Sequence, residues 1–330
     1  MTPQPPKNLS WAVDRSATGA HQLVCMDSSF PDIDSGKILV RIEYSCLNYK
    51  DVLSVSGKNG ETKSYPQIIG IDAVGTIEQS HDSAFLVGSR VGLFSRGLGT
   101  TKGGGLSHYL VTQTDSAIAL PSSISPLKAM AIGTAGLTAA ACVAQILKEG
   151  IATSTGPVLI TGAGGGVGRI ASLMLSQLGY QTVLSTRGKG SSGNNTSQVI
   201  PPLRVSNFQL LPEKWVAVVD TLGGESLVTA IKSTQSGGVV LSVGMVESPS
   251  MNLNVYPFVL RGIKLIGVNL DRIDIHIIKQ YLELADSLMP QSLLTEFVKV
   301  IQFEEVPDYI DLMGEGKHSG RTVVKISSLD

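Results

Sequence analysis

The chain has 3 cysteines and 5 histidines in 330 residues. Cys25, Cys46 and Cys142 are too few and too scattered for a disulfide framework, so a reducing compartment and a cytoplasmic protein are expected. His21, His81, His108, His276 and His318 show no metal-ligand spacing. Charge of one sign is also missing: 26 Lys and Arg stand against 27 Asp and Glu, a formal net charge of −1. That balance offers no electrostatic footprint for nucleic acid, and no such partner is expected. The opening residues, MTPQPPKNLSW, lack the apolar centre of a signal peptide. Asn194-Asn195-Thr196 and Asn195-Thr196-Ser197 match the glycosylation pattern but carry no weight without a secretory signal. Only one apolar run, residues 129–147, reaches membrane length. It is rich in Ala, Gly and Thr rather than Leu and Ile, so a closely packed buried helix is expected and no membrane span.

What the chain does contain is a glycine cluster in a telling place. Residues 157–187, PVLITGAGGGVGRIASLMLSQLGYQTVLSTR, read strand, glycine turn, helix, strand. Val158–Thr161 is a short apolar run. Ala163-Gly164-Gly165-Gly166-Val167-Gly168 then follows A-x-G-x-x-G, with alanine in the place of the usual first glycine. Ile170, Leu173, Met174, Leu175 and Leu178 recur at helical spacing, and Gly179 is placed to stop the helix. Tyr180–Ser185 reads as the next strand. A phosphate needs close backbone approach, which residues without a Cβ allow. The helix start adds free N–H groups and the positive end of its dipole. A dinucleotide is therefore expected on Gly165, Gly166, Val167 and Gly168. The following strand ends in Ser185, Thr186 and Arg187. An NAD site normally has a carboxylate there for the ribose hydroxyls. This chain has none, and a guanidinium pairs with a 2′-phosphate. NADPH is the expected cofactor.

At this length two lobes are expected. Residues 9–125 read as short strands and turns, with ILVRIEY at 38–44 alternating as a half-buried strand, similar runs at 71–77 and 88–94, and a short helix after Asn48. Residues 126–150 form the apolar helix. Strands at 158–161, 181–185, 217–221, 239–243 and 264–268, with helices between most of them, give the alternation of a parallel sheet covered by helices. A helix over 275–289 follows, and Arg321–Ile326 reads as a strand that rejoins the first lobe. The polar segment Gly188–Ser197, GKGSSGNNTS, cannot bury an apolar face and is expected to be a flexible loop beside the adenosine end of the cofactor.

Several stretches together carry a resemblance. They are SCLNYKD at 45–51, PQIIGID at 66–72, GGGL at 103–106, IGTAGLTA at 132–139, TGAGGGVG at 161–168, VDTLGG at 219–224 and GRTVVK at 320–325. With the glycine turn late in the chain, the sequence resembles the zinc-free side of the medium-chain dehydrogenase/reductase superfamily. More narrowly it is similar to the acryloyl-CoA reductase family, whose members are also labelled quinone oxidoreductases. The resemblance implies an α/β fold: a β-rich GroES-like catalytic lobe, residues 1–125 and 270–330, plus a doubly wound Rossmann NADP-binding domain, residues 126–269. It implies that Asn48 and Tyr49 lie beside the nicotinamide. Tyr49 is then either a donor to an enolate or relay water, or only a wall of the pocket; a phenol is a donor at neutral pH. Lys50 reads as an exposed or substrate-facing charge and Asp51 as a brace for the turn. The resemblance further implies cofactor contacts at Thr138 and, at or after predicted strand ends, at Leu222, Gly244, Phe258 and Asn269. Leu222 and Phe258 read equally well as core.

Zinc-dependent relatives have Gly-His-Glu where this chain has Gly70-Ile71-Asp72, and isoleucine cannot ligate a metal. No metal is expected, and Cys46 reads as a buried apolar residue. The chain departs from the family after Arg187, where relatives have a longer helical stretch, and at Asn269, where they tend to have Asp. Without a Lewis acid, reduction of an activated C=C bond is the workable chemistry: hydride to the β-carbon of an enoyl thioester, a proton to the α-carbon. The implied reaction is acryloyl-CoA to propionyl-CoA. Reduction of quinones or enones by NADPH is the alternative among enzymes, and an NADPH-binding sensor or structural protein is the alternative outside them. The resemblance also implies a homodimer, joined edge to edge through residues 239–243 and the segment after Asn254.

Overall fold

A computed structural model of the chain describes residues 8–28, 33–58, 60, 62–187, 197–294 and 296–326. The chain divides into two units: residues 1–134, 271–279 and 291–330, and residues 135–270 and 280–290.

The first unit opens with strands β1 (Asn8–Arg15), β2 (His21–Ser28) and β3 (Lys37–Cys46), helix α1 (Tyr49–Val55), and strands β4 (Gln67–Ile68), β5 (Asp72–Ser80), β6 (Arg90–Phe94), β7 (Tyr109–Gln113) and β8 (Ala117–Ala119). Strand β3 is its centre. The alternation in ILVRIEY sends Ile38, Val40 and Ile42 into the core, each fully buried. β5 pairs along one side of β3, and β7 pairs with its first half on the other. Val91, Leu93, Leu106 and Leu110 close the same core.

Helix α2 (Pro126–Lys148) leads out of this unit. It is the one helix among the described residues long and apolar enough to cross a membrane, and 78% of its most apolar window is buried inside the protein, as a core helix requires. It is broken at Gly133 (φ 49, ψ −166). This left-handed region favours glycine because a Cβ would clash with the neighbouring backbone. The units part just after this break rather than at 125/126, because the first turns of α2 are held in the first unit: Arg321 takes the carbonyls of Met130 and Ala131.

The second unit contains β9 (Val158–Thr161), α3 (Gly166–Gln177), β10 (Thr182–Ser185), β11 (Ser197–Ile200), β12 (Trp215–Asp220), α4 (Gly224–Lys232), β13 (Thr234–Ser242), α5 (Tyr256–Arg261) and β14 (Lys264–Gly267). The sheet order is β11-β10-β9-β12-β13-β14, parallel throughout. Numbered within the unit this is 3-2-1-4-5-6, the doubly wound order whose switch point lies at β9. Leu159, Val183, Val218, Ala230, Ile231 and Val240 form its core. Two expectations need correction. Ser197, expected at the end of the polar loop, opens strand β11, whose four residues are too few and too polar to show an alternating pattern. The residues 239–243 are not at an edge: β13 is paired on both sides, and β14 is the last strand. Residues 188–196 of the polar segment lie outside the described residues.

Helix α6 (Ile275–Leu288) comes next, then α7 (Gln291–Leu294), β15 (Val298–Gln302), α8 (Val306–Gly314) and β16 (Arg321–Lys325). Residues 280–290 go with the second unit rather than the first, with Leu282, Ala285 and Met289 buried. β16 returns to the first unit and pairs antiparallel with Tyr44–Cys46, which sets Arg321 near the end of β3.

Candidate active site

In the second unit the ends of β9 and β12 are laced together. Thr161 Oγ1 donates to Asp220 Oδ1 (2.6 Å) and accepts the Thr221 N–H (3.1 Å), while Asp220 Oδ2 accepts the Gly223 N–H (2.8 Å). Burial pushes the Asp220 carboxyl up, against the lowering effect of these donors. The turn above this lacing is tight: the Gly165 N–H returns to Gly162 O (3.0 Å), and the Ala163 N–H reaches Ser185 O (3.2 Å). Gly165 is the N-cap of α3, so the N–H groups of Gly166, Val167 and Gly168 form its first turn and lack helical acceptors. Gly168 packs against the turn itself. A Cβ there would lie 2.8 Å from Gly162 O and 2.9 Å from Ala163 Cα. The result is an open rim of backbone donors at the switch point of a parallel sheet, which fits a pyrophosphate. At the end of β10, Ser185 is buried and its hydroxyl donates to Pro201 O (3.4 Å). Its side chain fastens the strand end to the segment after β11. Thr186 is half-buried and Arg187 exposed.

In the first unit β3 runs into the Asn48-Tyr49 turn. Asn48 caps α1 with extended backbone (φ −133, ψ 160). Asp51 reaches back: Oδ2 accepts the Asn48 N–H (2.8 Å) and Oδ1 the Gly70 N–H (2.9 Å). The Asn48 side chain is fully engaged, with Nδ2 donating to Asp72 Oδ2 (2.9 Å) and Oδ1 accepting from Arg321 Nη1 (3.0 Å). Asp72 also takes the N–H of Thr134 (2.9 Å) and its hydroxyl (2.6 Å), just past the break in α2. Cys46 is buried as expected, but its surroundings are polar: Sγ donates to Asp72 Oδ2 (3.0 Å) and accepts from Arg321 Nη2 (2.7 Å). Burial pushes its thiol far up, with Arg321 pulling the other way and Asp72 adding to the rise. Tyr49, the first residue of α1, is half-buried, and its hydroxyl makes no hydrogen bond among the described residues. Lys50 is paired with Asp271 Oδ2 (2.7 Å). The other oxygen of Asp271 accepts from Ser95 Oγ and the Arg96 N–H, both at 2.6 Å. Burial raises the Asp271 carboxyl, but Lys50, Ser95 and Arg96 together bring it below its ordinary value.

Comparisons with known proteins agree with this architecture. Residues 34–122 match the alcohol dehydrogenase GroES-like domain family. Over 306 residues, 90% of this chain and 93% of the other, the sequence is 34% identical to YhfP of Bacillus subtilis, whose name classes it with the quinone oxidoreductases. It is 33% identical over 259 residues to the acrylyl-CoA reductase AcuI of Ruegeria pomeroyi, covering 76% of this chain and 78% of that one. The chain belongs to the acrylyl-CoA reductase and quinone oxidoreductase family of medium-chain dehydrogenases/reductases. Among solved structures, the yhdH oxidoreductase of Salmonella enterica in complex with NADP superposes with a TM-score of 0.90 at 30% identity, covering 97% of this chain and all of that one.

Within this medium-chain reductase the remaining expected residues fall as follows. Leu222 lies two residues past β12, Gly244 two past β13 and Asn269 two past β14, so each sits just beyond a strand end. Phe258 does not. It lies in α5 and packs against the core of the second unit, because the chain after β13 turns into a helix before it reaches β14. Thr138 is buried on α2. Asp72, Arg321 and Asp271 are the polar residues to which no role was assigned from sequence. The signal for Asp72 and Arg321 was faint: a charge at the end of PQIIGID and another at the head of RTVVKI, each beside buried apolar residues.

Proposed function

We propose that this protein reduces the C=C bond of a short enoyl thioester, acryloyl-CoA to propionyl-CoA, with NADPH as reductant. The observation that carries the reading is the glycine turn at the switch point of the parallel sheet, followed by a second strand that ends in Thr186-Arg187 without a carboxylate. Gly165, Gly166, Val167 and Gly168 would hold the pyrophosphate, and Thr186 and Arg187 the 2′-phosphate. Leu222, Gly244 and Asn269 would border the nicotinamide half, with Thr138 from α2. When bound, the cofactor supplies the hydride that ends on the β-carbon. Tyr49 supplies the polar partner: its Oη, which bonds none of the described residues, donates to the oxygen of the thioester enolate, and the α-carbon takes the proton. Asn48 acts through its hold on the turn rather than by touching the reacting atoms. The thioester itself is supported by the likeness to AcuI.

The test is NADPH consumption by the purified protein with acryloyl-CoA, beside crotonyl-CoA, a simple quinone and NADH controls. Fast turnover of acryloyl-CoA that prefers NADPH is the expected result. Turnover of the quinone without any thioester would replace the substrate with the one that the name of YhfP favours; NADPH binding without turnover of any acceptor would remove the enzyme reading. Tyr49→Phe lowers turnover if the phenol is the donor, and unchanged turnover leaves it only a packing role.

We also infer a homodimer. Among the described residues no strand pairs with the outer edge of β14, and the helix before it exposes Val259 (73%), Leu260 (62%) and Tyr256 (48%), with Val255 (67%) at its cap. An exposed apolar helix face and a terminal strand edge in the same unit each suit an isologous partner. Three free cysteines agree with the cytoplasm as its compartment.

A further inference from the structure

We propose that Arg321 is a positioning residue for this reaction: its buried guanidinium locks the Asn48 amide in one orientation and so fixes the residue that carries the Tyr49 phenol. What Tyr49 does rests on the reductase reading above; that Arg321 holds it in place is a separate claim.

Arg321 is 3% exposed. Every nitrogen of its side chain is used: Nε donates to Ala131 O (3.2 Å), Nη1 to Leu47 O (3.3 Å) and Asn48 Oδ1 (3.0 Å), Nη2 to Met130 O (3.1 Å) and Cys46 Sγ (2.7 Å). Asp72 Oδ2 stands 3.8 Å from Nη2 and balances the charge. One planar fork thus ties the end of β3 to the first turns of α2, beside the first residue of β5. The space exists because residue 133 is glycine. A Cβ there would collide with Nη2 and lie 2.9 Å from Asp72 Oδ2 and 3.1 Å from Cys46 Sγ.

The consequence falls on Asn48. Its amide oxygen faces a guanidinium and its amide nitrogen faces a carboxylate, so exchanging the two would set donor against donor and acceptor against acceptor. The amide has one orientation. Its backbone N–H is held at the same time by Asp51. Tyr49 therefore leaves a cap fixed at both main chain and side chain, while its own hydroxyl bonds none of the described residues. A buried ion pair is a weak source of stability, and apolar side chains of the same volume often serve as well. The geometry points to orientation as what the fork provides. Lysine carries the same charge but not the planar fork.

The experiment is a double-mutant cycle in kcat between Arg321→Lys and Tyr49→Phe, with NADPH affinity followed separately by fluorescence titration and folding by circular dichroism. Expected is a loss of at least tenfold in kcat for Arg321→Lys, with the NADPH Kd within twofold of the parent. Tyr49→Phe then costs less than twofold in the Arg321→Lys background, although it costs tenfold or more alone. Millimolar guanidinium raises kcat of Arg321→Ala at least threefold, which a general loss of stability does not predict. If the Arg321 variants do not fold, Asn48→Ala removes the arm that the fork holds, and the same non-additivity with Tyr49→Phe is expected. Fully multiplicative losses, or a kcat for folded Arg321→Lys within twofold of the parent, overturn the positioning claim. A silent Tyr49→Phe in the parent refutes instead the donor role on which the claim rests, so the two failures are distinguishable.

Discussion

Asp51→Asn should remove a pH dependence from the stability of the first unit. Asp51 is 1% exposed. Burial is the largest influence on its carboxyl, and it outweighs the Asn48 and Gly70 N–H groups; Asp72 adds to the rise and Arg321 opposes it, with the net result a value of about 7 instead of 3.8. Between those values the folded chain keeps the proton and the unfolded chain has released it. The unfolded state then binds fewer protons, so stability falls as pH rises. The whole contribution is present below the unfolded value and is lost as pH passes about 7. Three units at about 1.4 kcal/mol each make roughly 4 kcal/mol in all, of which about 2–3 kcal/mol lies between pH 5 and pH 8. The amide in Asp51→Asn does not titrate. It keeps one acceptor oxygen but turns an NH2 toward the other backbone N–H, a pH-independent cost of about 1–3 kcal/mol. The variant is therefore less stable at pH 5, and the gap narrows by about 2–3 kcal/mol by pH 8. The chain has two tryptophans. Trp11 packs on Phe303 in the first unit and donates its indole N–H to Phe303 O (2.8 Å), so a Trp215→Phe background lets urea unfolding report this unit alone. Parallel stability profiles for Asp51 and Asp51→Asn proteins from pH 5 to pH 8 would refute the reasoning.

Three further outcomes follow from the same geometry. Arg187→Ala raises KM for NADPH about 5- to 30-fold, the loss of about 1–2 kcal/mol from an exposed charge-assisted contact, and leaves KM for NADH unchanged in parallel steady-state assays; equal effects on both remove Arg187 from the 2′-phosphate. Gly168→Ala presses a methyl onto two backbone atoms that cannot yield, so α3 must back away from the turn at a cost of about 1–3 kcal/mol. Thermal unfolding and NADPH titration should both register it, and native NADPH affinity would show that the close approach is not needed. Val259→Asp puts a charge on the exposed face of α5, and the proposed dimer predicts that light scattering records half the parent's mass for the variant; equal masses remove this face from the interface.

Much of this molecule is local and could be read without coordinates. The strand, glycine turn and helix at 158–177 follow from short-range rules: a run of β-branched and apolar residues, residues without Cβ where backbone must come close, then apolar residues at helical spacing. The alternation in ILVRIEY put Ile38, Val40 and Ile42 in the core, but the strand is not half-buried as expected: Leu39 and Glu43 are buried on its other face too. The absence of a carboxylate after β10 is likewise a local fact. Other features depended on partners far along the chain. SQVI pairs as β11 only because β10 offers an edge, and no pattern in four half-polar residues announces that. Strand order is not encoded in periodicity, so residues 239–243 could not be told from an edge until β14 was seen beside them.

The candidate site divides the same way. The glycine turn and the short helix after Asn48 could be read from neighbours within a few residues, whereas the place of the Asn48-Tyr49 pair at a site came from the family resemblance. Only the tertiary structure revealed what holds that pair. Arg321 and Asn48 are 273 positions apart, and Asp72 and Thr134 are 62 apart. A buried charge is tolerable only where a counter-charge and hydrogen-bond acceptors meet it. That condition is met here by the antiparallel return of β16 onto β3 and by the break at Gly133, and neither can be seen from one segment at a time. Cys46 shows the difference most plainly: composition made it a small buried apolar residue, and folding placed it between a guanidinium and a carboxylate.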